Sequence, residues 1–172
     1  MANDKEAFTA LVVGSRDRLF SVAYRILRDR ARAEDAVQQT FLIAWQQLHK
    51  LRDVSKADAW FYRLLVNACR TEMRNVRRWE PGLRLVDDHP SVIDDHRVIA
   101  QRDEIERAFR MLTTEQRAVL VLHHYVGLSG EEISRVLDVP TGTVRSRLHY
   151  ARNLMRSTLE ADSQLDARGG VA

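Results

Sequence analysis

Glycine and proline are scarce, at seven and three residues in a chain of 172. That excludes collagen-like and proline-rich low-complexity classes and leaves few turn signals, which favours helices. A single cysteine, Cys69, has no internal disulfide partner and fits a reducing compartment. No apolar run approaches the roughly 18 to 20 residues that span a bilayer. The Met-Ala-Asn-Asp-Lys-Glu start lacks the basic-then-apolar order of a secretory signal. A soluble, cytoplasmic chain without membrane insertion is therefore expected. Catalytic patterns are missing too: there is no HExxH, no cysteine pair, no metal-ligand spacing and no phosphate-cradling loop at Gly142-Thr143. We expect no enzyme, no catalytic residue, no metal and no cofactor.

Lysine is the other shortage. Only Lys5, Lys50 and Lys56 occur among 27 basic residues, so nearly all positive charge is arginine, whose planar fork suits phosphates and base edges. Acids number 24 and the net charge is only +3, so placement matters more than the total. Apolar residues make up 45% of the chain, enough for a packed core and against disorder.

Helical spacing recurs along the chain. Phe8, Val12, Leu19, Val22 and Ile26 mark a helix over residues 5–28. Val37, Phe41, Ala44 and Leu48 mark a second, over Ala33–Leu48. Tyr62, Val66, Cys69, Met73 and Val76 mark a third, over Ala57–Trp79. These stripes predict one helical domain over residues 5–79. Glu80-Pro81-Gly82 stops the third helix. The segment from Leu85 to Glu104 inverts to net −4 and reads as an acidic, flexible linker over residues 80–97. Ile105, Ala108, Phe109 and Leu112 begin a second helical domain, residues 98–160, and residues 161–172 read as a frayed tail. The expected fold is all-α, two small helical domains joined by that linker.

Three surfaces carry chemistry. In the second domain a short helix with Ile133, Val136 and Leu137 inward is broken at Asp138-Val139-Pro140, and Thr141 or Thr143 can cap the helix that follows. That helix buries Val144, Leu148, Ala151 and Met155 and presents Arg145, His149, Arg152 and Arg156 outward, with Ser146 alongside. Four arginines and no acid lie between Thr141 and Arg156. A helix, short turn and basic helix is the geometry that docks in a DNA major groove. On the third helix Arg63, Asn67, Arg70, Arg74 and Arg77 share one face, with Arg78 adjoining and Trp60, Phe61 and Tyr62 at its start. Arginines hold a backbone, aromatics stack on unpaired bases and an amide reads a base edge, which suits single-stranded nucleic acid; Phe61 and Tyr62 serve equally well as core. On the second helix Glu34, Asp35, Gln38, Gln39 and Leu42 form a face that is either solvated or a docking surface for a partner helix.

Together these segments resemble a bacterial RNA polymerase sigma factor of the sigma-70 family, extracytoplasmic-function (ECF) group, with regions 2 and 4 only. The resemblance covers about residues 5 to 160. It rests on AEDAVQQTFLIAWQQL (Ala33–Leu48), AWFYRLLVNACRTEMRNVRR (Ala59–Arg78) and LTTEQRAVLVLHHYVGLSGEEISRVLDVPTGTVRSRLHYARNLMR (Leu112–Arg156). It implies that residues 5–79 are region 2, with Glu34, Asp35, Gln38, Gln39 and Leu42 on core RNA polymerase. Trp60, Arg63, Asn67, Arg70, Arg74, Arg77 and Arg78 would then lie on melted −10 DNA, Asn67 holding a flipped base. Residues 98–160 would be region 4, with Thr143, Arg145, Ser146, Arg147, His149 and Arg152 at the −35 duplex. It implies core RNA polymerase, promoter DNA and an anti-sigma factor as partners, and transcription initiation as the function. The alternative is a stand-alone helix-turn-helix regulator whose N-terminal domain senses or dimerises.

Overall fold

The computed structural model describes residues 2–51, 53–79 and 105–169, without the side chains of residues 2–5, 7, 50, 54, 77, 79 and 161–169. The acidic linker, the Arg77 and Trp79 side chains and the last three residues of the tail therefore lie outside what is described. The described residues form helices α1 (Ala2–Leu27), α2 (Arg30–Gln46), α3 (Ala57–Trp79), α4 (residues 105–111), α5 (Thr114–His124), α6 (Gly130–Leu137) and α7 (Thr141–Gly169). Short 3-10 turns at Leu48–Lys50 and Val54–Lys56 join α2 to α3. Among the described residues there is no strand.

Helices α1 to α3 pack on one another along the expected sides, although Phe8, Val12 and Phe41 of the expected stripes are only half-buried and Leu48 falls in the turn after α2. Leu19, Val22 and Ile26 of α1 are fully covered, as are Ala33, Ala36 and Ala44 of α2 and Leu65 and Cys69 of α3. Phe61 and Tyr62 are buried, so they belong to the core. Burial pushes the Cys69 thiol up to about 12, which leaves it protonated and unreactive. Two buried hydroxyls are satisfied within their own helices: Ser15 donates to the Leu11 carbonyl (2.6 Å) and Thr40 to that of Ala36 (2.7 Å). Asp29 starts α2 by accepting from the Arg32 backbone N–H (2.9 Å).

Three details depart from the sequence reading. Ile105 is exposed although it opens an apolar repeat, whereas Ala108 and Leu112 of the same repeat are buried. Neither Thr141 nor Thr143 caps α7. Pro140 occupies that position, its carbonyl accepting from Thr143 (2.9 Å) and Val144 (3.2 Å). The α7 backbone also continues helical to Gly169, ten residues past Leu159, through a stretch with neither Pro nor an interior Gly to stop it.

The two helical domains are as expected, and they pack on one another through one contiguous core, α1 on α5 and α3 on α6. A buried arginine accounts for much of this. Arg117 of α5 donates to the carbonyls of Ile26 (3.2 Å) at the end of α1 and of Phe109 (3.0 Å) and Arg110 (3.2 Å) at the end of α4. Two helix C-termini thus aim their negative ends at one guanidinium. Burial, and then neighbouring Arg28 and Arg110, push its pKa down to about 10, so it stays charged at neutral pH. Around it, the Arg25 guanidinium lies 3.8 Å from the Tyr125 ring centroid and Arg28 pairs with Glu106. Arg28 holds φ 59, a left-handed conformation costing about 1 kcal/mol in a non-glycine residue.

Replacing Arg117 by Ala would strip three carbonyls of a charged donor and should lower the unfolding free energy by about 2–4 kcal/mol in a urea titration followed by circular dichroism. Arg117→Lys should recover only part of it, since an ammonium on a single stem does not fork to three acceptors. A loss within error for the alanine variant would show that the seam does not depend on this residue.

Candidate nucleic-acid interface

The helix-turn-helix is built from caps and a small core. Ser129 accepts from the Glu132 backbone N–H (3.3 Å), and the Glu132 carboxylate accepts from both the backbone N–H and the hydroxyl of Ser129 (2.8 Å each). This reciprocal box fixes the start of α6 and holds the Glu132 pKa below the usual carboxylate range, chiefly through the backbone hydrogen bond. Ile133, Val136 and Leu137 bury the inner side of α6. The turn begins at Asp138, at φ 55 and ψ 50, a left-handed cap that Asp tolerates better than most side chains. Ser134 then donates to the Val139 carbonyl (2.6 Å), and Val144, Leu148 and Ala151 lock α7 onto α5 and α6.

With that face buried, Arg145, Ser146, His149 and Arg152 are all exposed at spacings of one, three and three. Ser146 donates to the Thr143 carbonyl (3.0 Å), and Asn153 Nδ2 lies 2.9 Å from His149 Nε2. Arg152 donates to His124 (3.3 Å), whose pKa is lowered by burial and then by His123 and Arg152. Thr143 is half-buried. Arg147 is not on this face. Two residues on from Arg145, it turns toward α5, where it meets Glu115.

On α3, Arg63, Asn67, Arg74 and Arg78 are exposed and Arg70 is half-buried. Trp60 is half-buried against Phe61, ring centroids 5.4 Å apart. Arg74 donates to Thr71 (3.0 Å), and Arg70 donates to the Asn67 side-chain oxygen (3.0 Å). A cleft of about 640 Å³ opens beside these residues, between α3 and the start of α5, lined by Asn67, Arg70, Arg74 and Glu115 among others. On α2, Glu34, Asp35, Gln38, Gln39 and Leu42 are all exposed, and Glu34 pairs with Arg30 (3.2 Å). Trp45, one turn beyond Leu42, is half exposed and was missed as part of this face. Its signal was there, an aromatic continuing a non-core stripe.

Glu115 was missed as well. Arg70 grips its carboxylate with two bonds (2.7 and 2.8 Å), and Arg147 adds a third (2.9 Å). The Arg70 hydrogen bond, followed by the charges of Arg70 and Arg147, holds its pKa below the usual range despite burial. The sequence places no acid on the α7 face; this one arrives from α5, where an acid in a helix's first turn is unremarkable.

Two family models match this arrangement: Sigma-70 region 2 over residues 11–80, and Sigma-70, region 4 over residues 102–155. The ECF RNA polymerase sigma factor SigL of Mycobacterium tuberculosis is 36% identical over 146 residues, covering 83% of this chain and 82% of SigL. The chain belongs to the ECF RNA polymerase sigma factors. The RNA polymerase sigma-E factor of Streptomyces avermitilis is 33% identical over 163 residues, 94% of this chain and 89% of the relative. Among solved structures, the sigma factor RpoE in complex with the anti-sigma factor NepR from Bartonella quintana superposes with a TM-score of 0.74 at 25% identity, over 91% of this chain and 99% of RpoE. This sigma factor therefore directs RNA polymerase to promoters, and is not a stand-alone regulator. Sigma factors are generally not catalytic. Among the described residues no helix is long and apolar enough to cross a membrane, and no group of three ligating side chains could hold a metal ion.

Removing the α6 cap should loosen the helix-turn-helix first. Ser129→Ala is expected to cost about 1 kcal/mol of stability, with hydrogen exchange rising in α6 and the start of α7 while α2 keeps its protection. A uniform rise across all helices would contradict this local role.

Proposed function

We propose that this sigma factor divides promoter reading between residues 5–79 and 98–160, joined by the acidic linker over residues 80–97. The outer face of α3 takes melted −10 DNA. Asn67 holds a flipped base, Arg63, Arg70, Arg74, Arg77 and Arg78 hold the strand's phosphates, and Trp60 lies where an unstacked base can rest. Helix α7 enters the −35 major groove, with Arg145, Ser146 and His149 toward base edges and Thr143 and Arg152 toward the backbone, while Arg147, on the other side of the helix, holds Glu115. Glu34, Asp35, Gln38, Gln39 and Leu42 of α2 dock on core RNA polymerase, which performs the phosphoryl transfer. The observation that carries this reading is the separation of faces on α7: a buried stripe fixes the helix, and Arg145, Ser146 and His149 stand together on its exposed side.

The chain works in the cytoplasm, with the polymerase. Two similar solved structures are complexes, RpoE with the anti-sigma factor NepR and CnrH with the cytosolic domain of CnrY. They support an anti-sigma factor as this chain's regulator as well.

Co-elution with bacterial core polymerase in the absence of DNA tests the docking face, and a stoichiometric complex is expected. Asn67→Ala should reduce promoter opening while −35 duplex binding survives; equal loss of both would count against the base-holding role. Arg145→Ala should weaken discrimination at one −35 position by about 1–3 kcal/mol in competition binding. A loss spread evenly over all sequences would make Arg145 a phosphate contact instead.

A further inference from the structure

The outer side of α7 holds one residue that the roles proposed above leave unused. The buried stripe of Val144, Leu148 and Ala151 fixes which way the helix is turned. At about 100° per residue, the direction opposite that stripe falls on Ser146 and Asn153. His149 and Tyr150 lie about 50° to either side of it, and Arg145 and Arg152 lie further round. Ser146 donates to the Thr143 carbonyl (3.0 Å) and Asn153 Nδ2 lies 2.9 Å from His149 Nε2, so these polar groups are bonded to neighbours on α7 itself. Tyr150 is different. It is 64% exposed, the most of any aromatic among the described residues, and it is the one large apolar side chain exposed on the described part of α7. Among the described residues none stacks on its ring or bonds its hydroxyl. A ring left this open adds little to the stability of the fold.

We infer that Tyr150 is a base-reading residue, its ring covering the 5-methyl group of a thymine in the −35 duplex. The inference rests on the promoter-reading role proposed for α7. Its basis is a match of chemistry. Base edges in the major groove are mostly nitrogen and oxygen donors and acceptors, which arginine, serine and histidine can bond. The thymine methyl is the apolar exception and gains nothing from such side chains. The Tyr150 ring is the one large apolar surface that α7 offers on its exposed side, and bringing the two together removes both from water. Position along the helix agrees. Tyr150 stands one turn beyond Ser146, in the third turn of α7, within the N-terminal stretch that meets base edges in helix-turn-helix proteins. A tyrosine on the phosphate backbone would act through its hydroxyl and read no base, so phenylalanine at this position separates the two roles.

The test loads the full chain on core polymerase and selects duplexes from a library randomised across the −35 element. The wild-type complex should select thymine at one position. Tyr150→Ala should lose that preference and keep the others, Tyr150→Phe should retain it, and Arg145→Ala should lose a different position. Tyr150 is exposed, so neither substitution of it disturbs the core. In a defined duplex of the selected sequence, that thymine is then replaced by deoxyuridine, which lacks only the methyl. Losing one covered methyl should weaken binding by the wild-type and Tyr150→Phe complexes about fourfold and leave the Tyr150→Ala complex unchanged. An unchanged motif for Tyr150→Ala, equal losses for the Phe and Ala variants, or equal sensitivity of wild-type and Tyr150→Ala to the uracil would overturn the assignment. So would weaker binding of Tyr150→Ala to core polymerase without DNA, which would make the ring a protein contact. Should the wild-type complex select no −35 sequence at all, the reading role of α7 itself is overturned, and this assignment with it.

Discussion

A guanidinium buried between the halves of this chain ties the end of α1 to the start of the second half. Arg117 brings a positive charge into an apolar seam, where burying an unsatisfied charge would be strongly unfavourable. It is tolerated because α1 and α4 both end there, each offering carbonyls that their own helices leave without partners. Neither half supplies that environment alone. The seam then fixes where the start of α5 lies, and with it Glu115, so the encounter of one carboxylate with Arg70 and Arg147 follows from packing some distance away.

The same economy runs through the reading unit. Helix α6 is eight residues long and would not persist in isolation. It is held by a capping box at one end, a left-handed aspartate at the other and three apolar side chains beneath. Those contacts set the angle at which α7 leaves the turn. They leave Arg145, Ser146, His149 and Arg152 exposed, Arg152 held to His124 of α5 and Ser146 and His149 bonded only to neighbours on α7 itself.

Much of this was legible in the sequence because helices announce themselves by period. The stripe from Tyr62 to Val76 places α3 from Ala57 to Trp79, as found, and the Ile133, Val136, Leu137 triad places α6. What escaped was long-range. Arg117 is an arginine on an apolar face, and spacing alone directs such a residue outward. The carbonyls that draw it inward lie eight, seven and ninety-one residues away. Glu115 reads as an ordinary first-turn acid until α3 and α7 are brought beside it. Arg147 shares a basic run with Arg145 but points to the other side of α7, a distinction that the composition of the run conceals.

The two halves of the chain share one core and are closed on each other. Small-angle X-ray scattering of the free protein tests it directly. A single compact body of this length has a radius of gyration of about 16 Å; the protein should give a single-peaked distance distribution near that size. A two-peaked distribution with a markedly larger radius would show two independent domains in solution and contradict the closed arrangement.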